Sequence, residues 1–140
     1  YVKPTENFTF SVAYGLCDSK YDKFDGSGLV GKQVSFIPEH TLALSLNYEF
    51  DNGLHGQIGT KTIGDTHYWN YAGNNPTDTI DSYTLLDANI GYDWKDWEFN
   101  VFGLNLTNEE YYTSLINNIP GSPGVAGSPR VIGLSISKEF

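Results

Sequence analysis

Thr41-Leu42-Ala43-Leu44-Ser45-Leu46-Asn47-Tyr48-Glu49-Phe50 alternates without a fault: Leu42, Leu44, Leu46, Tyr48 and Phe50 on one side, Thr41, Ala43, Ser45, Asn47 and Glu49 on the other. A two-residue period places successive side chains on opposite faces of a β-strand. Asp51-Asn52-Gly53 then supplies the residues of a tight turn, and a second strand returns with Leu54, Gly56 and Ile58 against His55, Gln57, Gly59 and Lys61. The same alternation recurs on both sides of this hairpin. Upstream it reads Phe8, Phe10, Val12, Tyr14, Leu16 against Thr9, Ser11, Ala13, Gly15, Cys17. Downstream, Leu86, Ala88, Ile90, Tyr92 and Trp94 oppose Leu85, Asp87, Asn89, Gly91 and Asp93, and Trp97, Phe99 and Val101 oppose Glu98 and Asn100. The last strand sets Ile132, Leu134, Ile136 and Phe140 against Val131, Gly133, Ser135, Ser137 and Glu139. The reading is all-β: an antiparallel meander of about six strands. In the fifth strand the apolar parity shifts after Val101 to Phe102, Leu104 and Leu106, which fits either a bulge or burial on both faces.

The connections alternate in length. Asp51-Asn52-Gly53 and Lys95-Asp96 are tight, whereas the segments around 22–36, 63–82 and 107–129 are long, polar and rich in Gly, Pro and Asn. Phe8, Phe10, Tyr48, Phe50, Tyr92, Trp94, Trp97, Phe99 and Phe140 all fall at the tight-turn end of their strands. A row of amphipathic rings beside a band of aliphatic residues is what a membrane interface selects. In a soluble sandwich the alternation would look much the same, with the apolar face as core. The aromatic row and the unequal loops favour the wall of a transmembrane β-barrel with a polar lumen.

Other counts narrow the function. No run approaches the apolar length of a membrane-spanning helix. A formal net charge of −9 repels a phosphate backbone, so nucleic acid is not an expected partner. The single Cys17 cannot pair within the chain and leaves the redox compartment open. Six strands fall short of the roughly 8 that close the smallest bacterial outer-membrane barrels, and no basic segment leads into an apolar run as a signal peptide would. Residues 1–140 are therefore expected to be one segment of a larger barrel.

Trp97-Glu98-Phe99-Asn100-Val101-Phe102-Gly103-Leu104-Asn105-Leu106-Thr107-Asn108-Glu109-Glu110-Tyr111 resembles the penultimate strand of TonB-dependent outer-membrane receptors. Gly124, Ser128-Pro129-Arg130 and a strand closing on Phe140 are similar to their ending. Ile37-Pro38-Glu39-His40-Thr41-Leu42, Tyr48-Glu49-Phe50, Asn52-Gly53-Leu54 and Tyr83-Thr84-Leu85-Leu86-Asp87 before Ile90-Gly91-Tyr92 look like earlier strands, in the right order. The resemblance implies the C-terminal part of a barrel of roughly 22 strands, with the plug domain and TonB box having no counterpart in these residues. It implies transport of a scarce nutrient, most often a ferric siderophore. The implied partners are outer-membrane lipid, the TonB complex through the missing N-terminal part, and the barrel-assembly machinery, for which Phe140 would be the signal. Short turns would then be periplasmic and long loops extracellular.

No zinc-binding His-Glu-x-x-His, P-loop or nucleophile-elbow motif occurs, and no catalysis or cofactor is assigned. His40, His55 and His67 lie on separate segments without ligand spacing, so surface or lumen roles are favoured and no metal is expected. Asp93 and Asp96 flank a tight turn, which accounts for them. Asn7-Phe8-Thr9 and Asn105-Leu106-Thr107 match the glycosylation pattern but fall in or beside strands of a bacterial barrel. The candidate ligand-contact residues are His67, Tyr68, Trp69 and Tyr71 on one long loop, with Tyr111 and Tyr112 on another. Their rings could stack on a planar or greasy chelate, or pack a girdle or loop instead. A soluble carbohydrate-binding module would use the same rings as its platform. What discriminates is whether the apolar faces lie outside a single sheet or are buried between two.

Overall fold

The computed structural model describes residues 2–68, 78–115 and 124–139. Seven strands form one antiparallel sheet: β1 (Val2–Thr5), β2 (Phe8–Leu16), β3 (His40–Glu49), β4 (Leu54–Ile63), β7 (Tyr83–Trp94), β8 (Trp97–Leu104) and β11 (Val131–Lys138). Their spatial order follows the chain, β1-β2-β3-β4-β7-β8-β11, as a meander demands. Two small ribbons stand apart, β5 (Thr66–Tyr68) with β6 (Asp78–Ile80), and β9 (Tyr112–Leu115) with β10 (Gly124–Ala126). All six strands read from the alternation are present. β1 and both ribbons go unannounced in the sequence, because four and three residues are too short to show a period.

Register converts the alternation into two continuous faces. Residues directly opposed across antiparallel strands share a face, and Phe8, Tyr48, Gly56, Ile90, Val101 and Leu134 follow one another across six strands. The row beside it on the other face is Thr9, Asn47, Gln57, Asn89, Phe102 and Gly133. A slip of one residue anywhere would mix the two sets. The fifth strand contains no bulge: β8 pairs residue for residue with β7 and with β11. Its parity shift comes from apolar side chains on both faces, with Val101 and Leu104 each 47% exposed. Phe102 lies on the polar face with its ring over Gly133, and Leu106 folds back over Gly103.

Among the described residues no second layer covers the apolar face. Leu46, Ile58 and Ile90 sit in interior strands and are nonetheless 40%, 45% and 53% exposed. Among the described residues the buried hydrophobics are Leu29, Tyr68 and Ile80, and all three belong to the long connections. A soluble sandwich would bury the opposite set, since apolar area removed from water is its main stabilisation. A sheet whose aliphatic side is left uncovered suits lipid against it. No described helix is long and apolar enough to cross a membrane.

The tight-turn end carries the aromatic row. Tyr48 packs 4.4 Å from Phe50 and 6.4 Å from Phe8, and Trp97 lies 6.3 Å from Phe99. Lys95 Nζ sits 5.0 Å above the Trp94 ring and Lys138 Nζ 5.4 Å above Trp97. Rings with cations at one level suit a headgroup boundary, where an apolar body and a polar tip are both accommodated. Phe140 lies outside the described residues.

Candidate functional site

At the end away from the hairpins, three long connections fold onto one another. The β5–β6 ribbon pairs His67 with Thr79, and Pro38 bridges to Thr66. Backbone hydrogen bonds from Phe36 N–H to His67 O (3.2 Å) and from Glu39 N–H to Asp65 O (3.1 Å) tie the first connection to this ribbon. The His67 ring finishes the joint, with Nδ1 3.1 Å from Thr79 Oγ1 and Nε2 3.2 Å from Glu39 Oε1. Both ring nitrogens are thus engaged within the protein. Tyr68 is buried, its ring edge-on to Phe36 at 4.6 Å.

Burial pushes the Tyr68 phenol above the ordinary tyrosine range, and a backbone hydrogen bond at Leu115 partly offsets this. The loop packing around Tyr68 therefore keeps its full contribution below the unfolded pKa and loses it as pH rises through the raised folded value. Spectrophotometric titration of the full-length protein is expected to lose part of its late-ionising tyrosine signal in Tyr68→Phe. An unchanged titration curve in Tyr68→Phe contradicts the assignment.

Tyr111 stacks on Tyr83 with centroids 4.4 Å apart, and its ring rests on Gly127, whose N–H donates to Tyr111 O at 2.7 Å. Tyr112 lies over Gly124 and remains half exposed. Trp69 and Tyr71, the other ring positions singled out in the sequence, lie outside the described residues. Of the sequence candidates, then, His67 and Tyr68 hold loops together, Tyr111 is stacked within the cluster, and Tyr112 offers an open ring.

Sequence reasoning passed over the residue that organises this end. Asn105 is 3% exposed and adopts φ 48°, a left-handed conformation that asparagine tolerates better than most residues. Its N–H donates to Asp87 Oδ1 (2.8 Å), and its side-chain amide donates to Glu109 O (2.9 Å) and Ser128 O (3.0 Å). Its Oδ1 accepts from Glu109 N–H at 2.8 Å. Asn108 repeats the device, accepting from Arg130 N–H at 3.1 Å. Together they fasten the exit of β8 to β7 and to the approach of β11. The signal was present as Asn105-Leu106-Thr107-Asn108, but a sequence does not show which partners an asparagine reaches.

One further grouping was invisible to ligand spacing. Hairpin register brings His55 of β4 beside β7, with Nδ1 3.6 Å from Asp93 Oδ2, at the tight-turn end of the polar face.

The fold therefore presents an uncovered apolar face, a polar face, aromatic rings at the hairpin end and folded loops opposite. A family model described as TonB dependent receptor-like, beta-barrel, matches residues 4–108. The chain belongs to this TonB-dependent receptor family. Its sheet is a stretch of integral outer-membrane β-barrel. Solved structures agree on the fold. The ferric yersiniabactin uptake receptor FyuA from Yersinia pestis superposes with a TM-score of 0.82 at 16% identity, over 99% of this chain and 22% of that one. The ferric-catecholate import receptor Fiu from E. coli K12 gives 0.79 at 20% identity, over 98% and 19%. FpvA of P. aeruginosa, solved with a heterologous pyoverdine and iron, gives 0.73 at 17%, over 96% and 18%. The chain thus spans about a fifth of the length of these TonB-dependent receptors.

Proposed function

We propose that this chain supplies wall strands and extracellular loops to an outer-membrane receptor that takes up a ferric siderophore. The observation that carries the reading is a folded, ring-bearing loop cluster at the far end of a TonB-dependent receptor barrel. The three structural relatives, each titled as an iron–siderophore receptor or solved with such a ligand, support the choice of cargo. Cargo meets the loops first, and the plug of the whole receptor completes the site. Release inward follows plug rearrangement driven through TonB. The chain's part is binding and enclosure, with no bond made or broken.

A strain whose one siderophore receptor is the full-length protein, starved of iron and fed single ferric catecholate, phenolate or hydroxamate chelates, tests this directly. Growth on one class supports the reading. Growth on none, at normal surface levels of receptor, contradicts it.

Within that reading, the half-exposed Tyr112, together with Trp69 and Tyr71, is proposed to stack on cargo. Replacing each by Ala is expected to weaken binding by about 1 kcal/mol or more, as truncation of aromatic anchors does at recognition sites. Titration of the ferric chelate onto cells at matched receptor levels checks it. Unchanged affinity in all three variants removes these rings from the site.

Phe140 is proposed as part of the signal read by the barrel-assembly machinery. One terminal ring adds little packing, so its deletion is expected to lower outer-membrane levels of the full-length receptor more than the stability of the barrel that does assemble. Normal membrane levels of the deletion variant overturn this role.

A further inference from the structure

We propose that His55, Asp93 and Glu98 bind a divalent transition-metal ion on the polar, lumen-facing side of the sheet near its hairpin end. One ligand comes from each of three neighbouring strands, β4, β7 and β8, and nothing in the transport reading uses them. Their ligating atoms all lie within 4.8 Å of one another. His55 Nδ1 and Asp93 Oδ2 are 3.6 Å apart, close to the roughly 3.3 Å that separates two ligands of one tetrahedral zinc ion at ordinary zinc–nitrogen and zinc–oxygen lengths. Asp93 and Glu98 are exposed, so small side-chain rotations bring the third oxygen in.

Three features separate this group from a casual run of surface acids. First, the imidazole is seated: His55 is paired with Gly91, and its ring occupies the space that a side chain at position 91 would need. Second, Asp93 and Glu98 are directly opposed across the β7–β8 pair, an arrangement in which like charges repel. Among the described residues, the ionic partner of Asp93 is His55 itself. Glu49 stands opposite His55 from β3 and adds a third carboxylate to the same recess. Third, Asn100 lines this recess with its side-chain oxygen buried and without a hydrogen-bond partner, an acceptor suited to a metal-bound water. Ser137 Oγ donates to Glu98 Oε2 at 3.1 Å, which orients that carboxylate.

One imidazole and two carboxylates suit borderline divalent ions such as zinc. The remaining coordination positions face the recess and are open to water or to a group from the plug. Such an ion would clip β4, β7 and β8 together at the end of the barrel where the sheet otherwise concentrates negative charge.

The test uses the full-length receptor, purified in detergent and stripped with a chelator. Calorimetric titration with zinc is expected to show a site that weakens at least about tenfold in His55→Ala and in the Asp93→Asn, Glu98→Gln double variant, the scale on which metal sites respond even to lost supporting groups. Gly91→Ala is expected to weaken it as well, by displacing the ring. Folding of each variant is checked by heat-modifiable electrophoretic migration. In the unsubstituted receptor, zinc is expected to slow diethyl pyrocarbonate modification of His55, read by mass spectrometry, which needs no variant to fold. Absence of zinc binding, equal affinity in all variants, or unaltered His55 modification overturns the proposal. So does loss of thermal stability in the double variant with zinc affinity intact, which would assign the acids to a basic side chain of the plug.

Discussion

Leu134→Arg in the full-length receptor is expected to lower the stability of the bilayer-inserted barrel by about 2–4 kcal/mol, the cost of an arginine on the lipid face near the midplane. Leu134 sits mid-way along β11, opposite Val101, and is 63% exposed on the uncovered aliphatic side. Its neighbour Ser135 lies on the other face, opposite Asn100. Ser135→Arg places the same charge in the polar lumen and is expected to cost under about 1 kcal/mol, as polar-side surface changes generally do. Reversible folding into lipid vesicles, followed along a denaturant gradient, gives both values. The reverse order of costs would mean that the two faces are interchanged.

Asn105→Ala is expected to cost about 2–4 kcal/mol, concentrated at the loop end. The change removes three side-chain hydrogen bonds and leaves the Glu109 N–H and the Glu109 and Ser128 carbonyls short of partners. Glu109 and Ser128 are exposed, so water takes up part of each loss, leaving about 0.5–1 kcal/mol per hydrogen bond. It also forces alanine into a left-handed backbone conformation, worth roughly 1 kcal/mol more. Asp87→Asn, which keeps an oxygen to accept from Asn105 N–H, is expected to be mild by comparison, and Asp87→Ala is not. Hydrogen exchange of the segments around Glu109 and Ser128 should quicken in Asn105→Ala while that of β3 and β4 stays as before. Exchange that is unchanged around Glu109 would mean that the bracket does not hold the loops.

The wall of this molecule was written plainly in its sequence. Leu42 to Phe50 alternate because each strand meets lipid on one side and the lumen on the other, and that contrast fills every second position. The tight turns were equally legible at Asp51-Asn52-Gly53 and Lys95-Asp96, since only a few residues close such hairpins. The loop end was not. β5, β6, β9 and β10 are three or four residues long, too short to display a period, and they are held by contacts between segments far apart in sequence. His67 shows the difficulty: as one of a run of ring residues it suggests ligand contact, yet its nitrogens are spent on Thr79 and Glu39. Asn105 shows the converse, a residue in a recognisable motif whose work appears only once Asp87, Glu109 and Ser128 are placed around it. His55 lies far from Asp93 and Glu98 in sequence, and only the register of β4 on β7 brings it to them.

One face of this sheet meets lipid and the other the lumen. Spin labels placed singly at positions 132 to 137 of the full-length receptor in lipid vesicles, after Cys17 is replaced by Ser, test it most directly. Collision with membrane-dissolved oxygen is expected at 132, 134 and 136, and collision with a water-soluble nickel chelate at 133, 135 and 137. An inverted phase, or no two-residue period along β11, would contradict it.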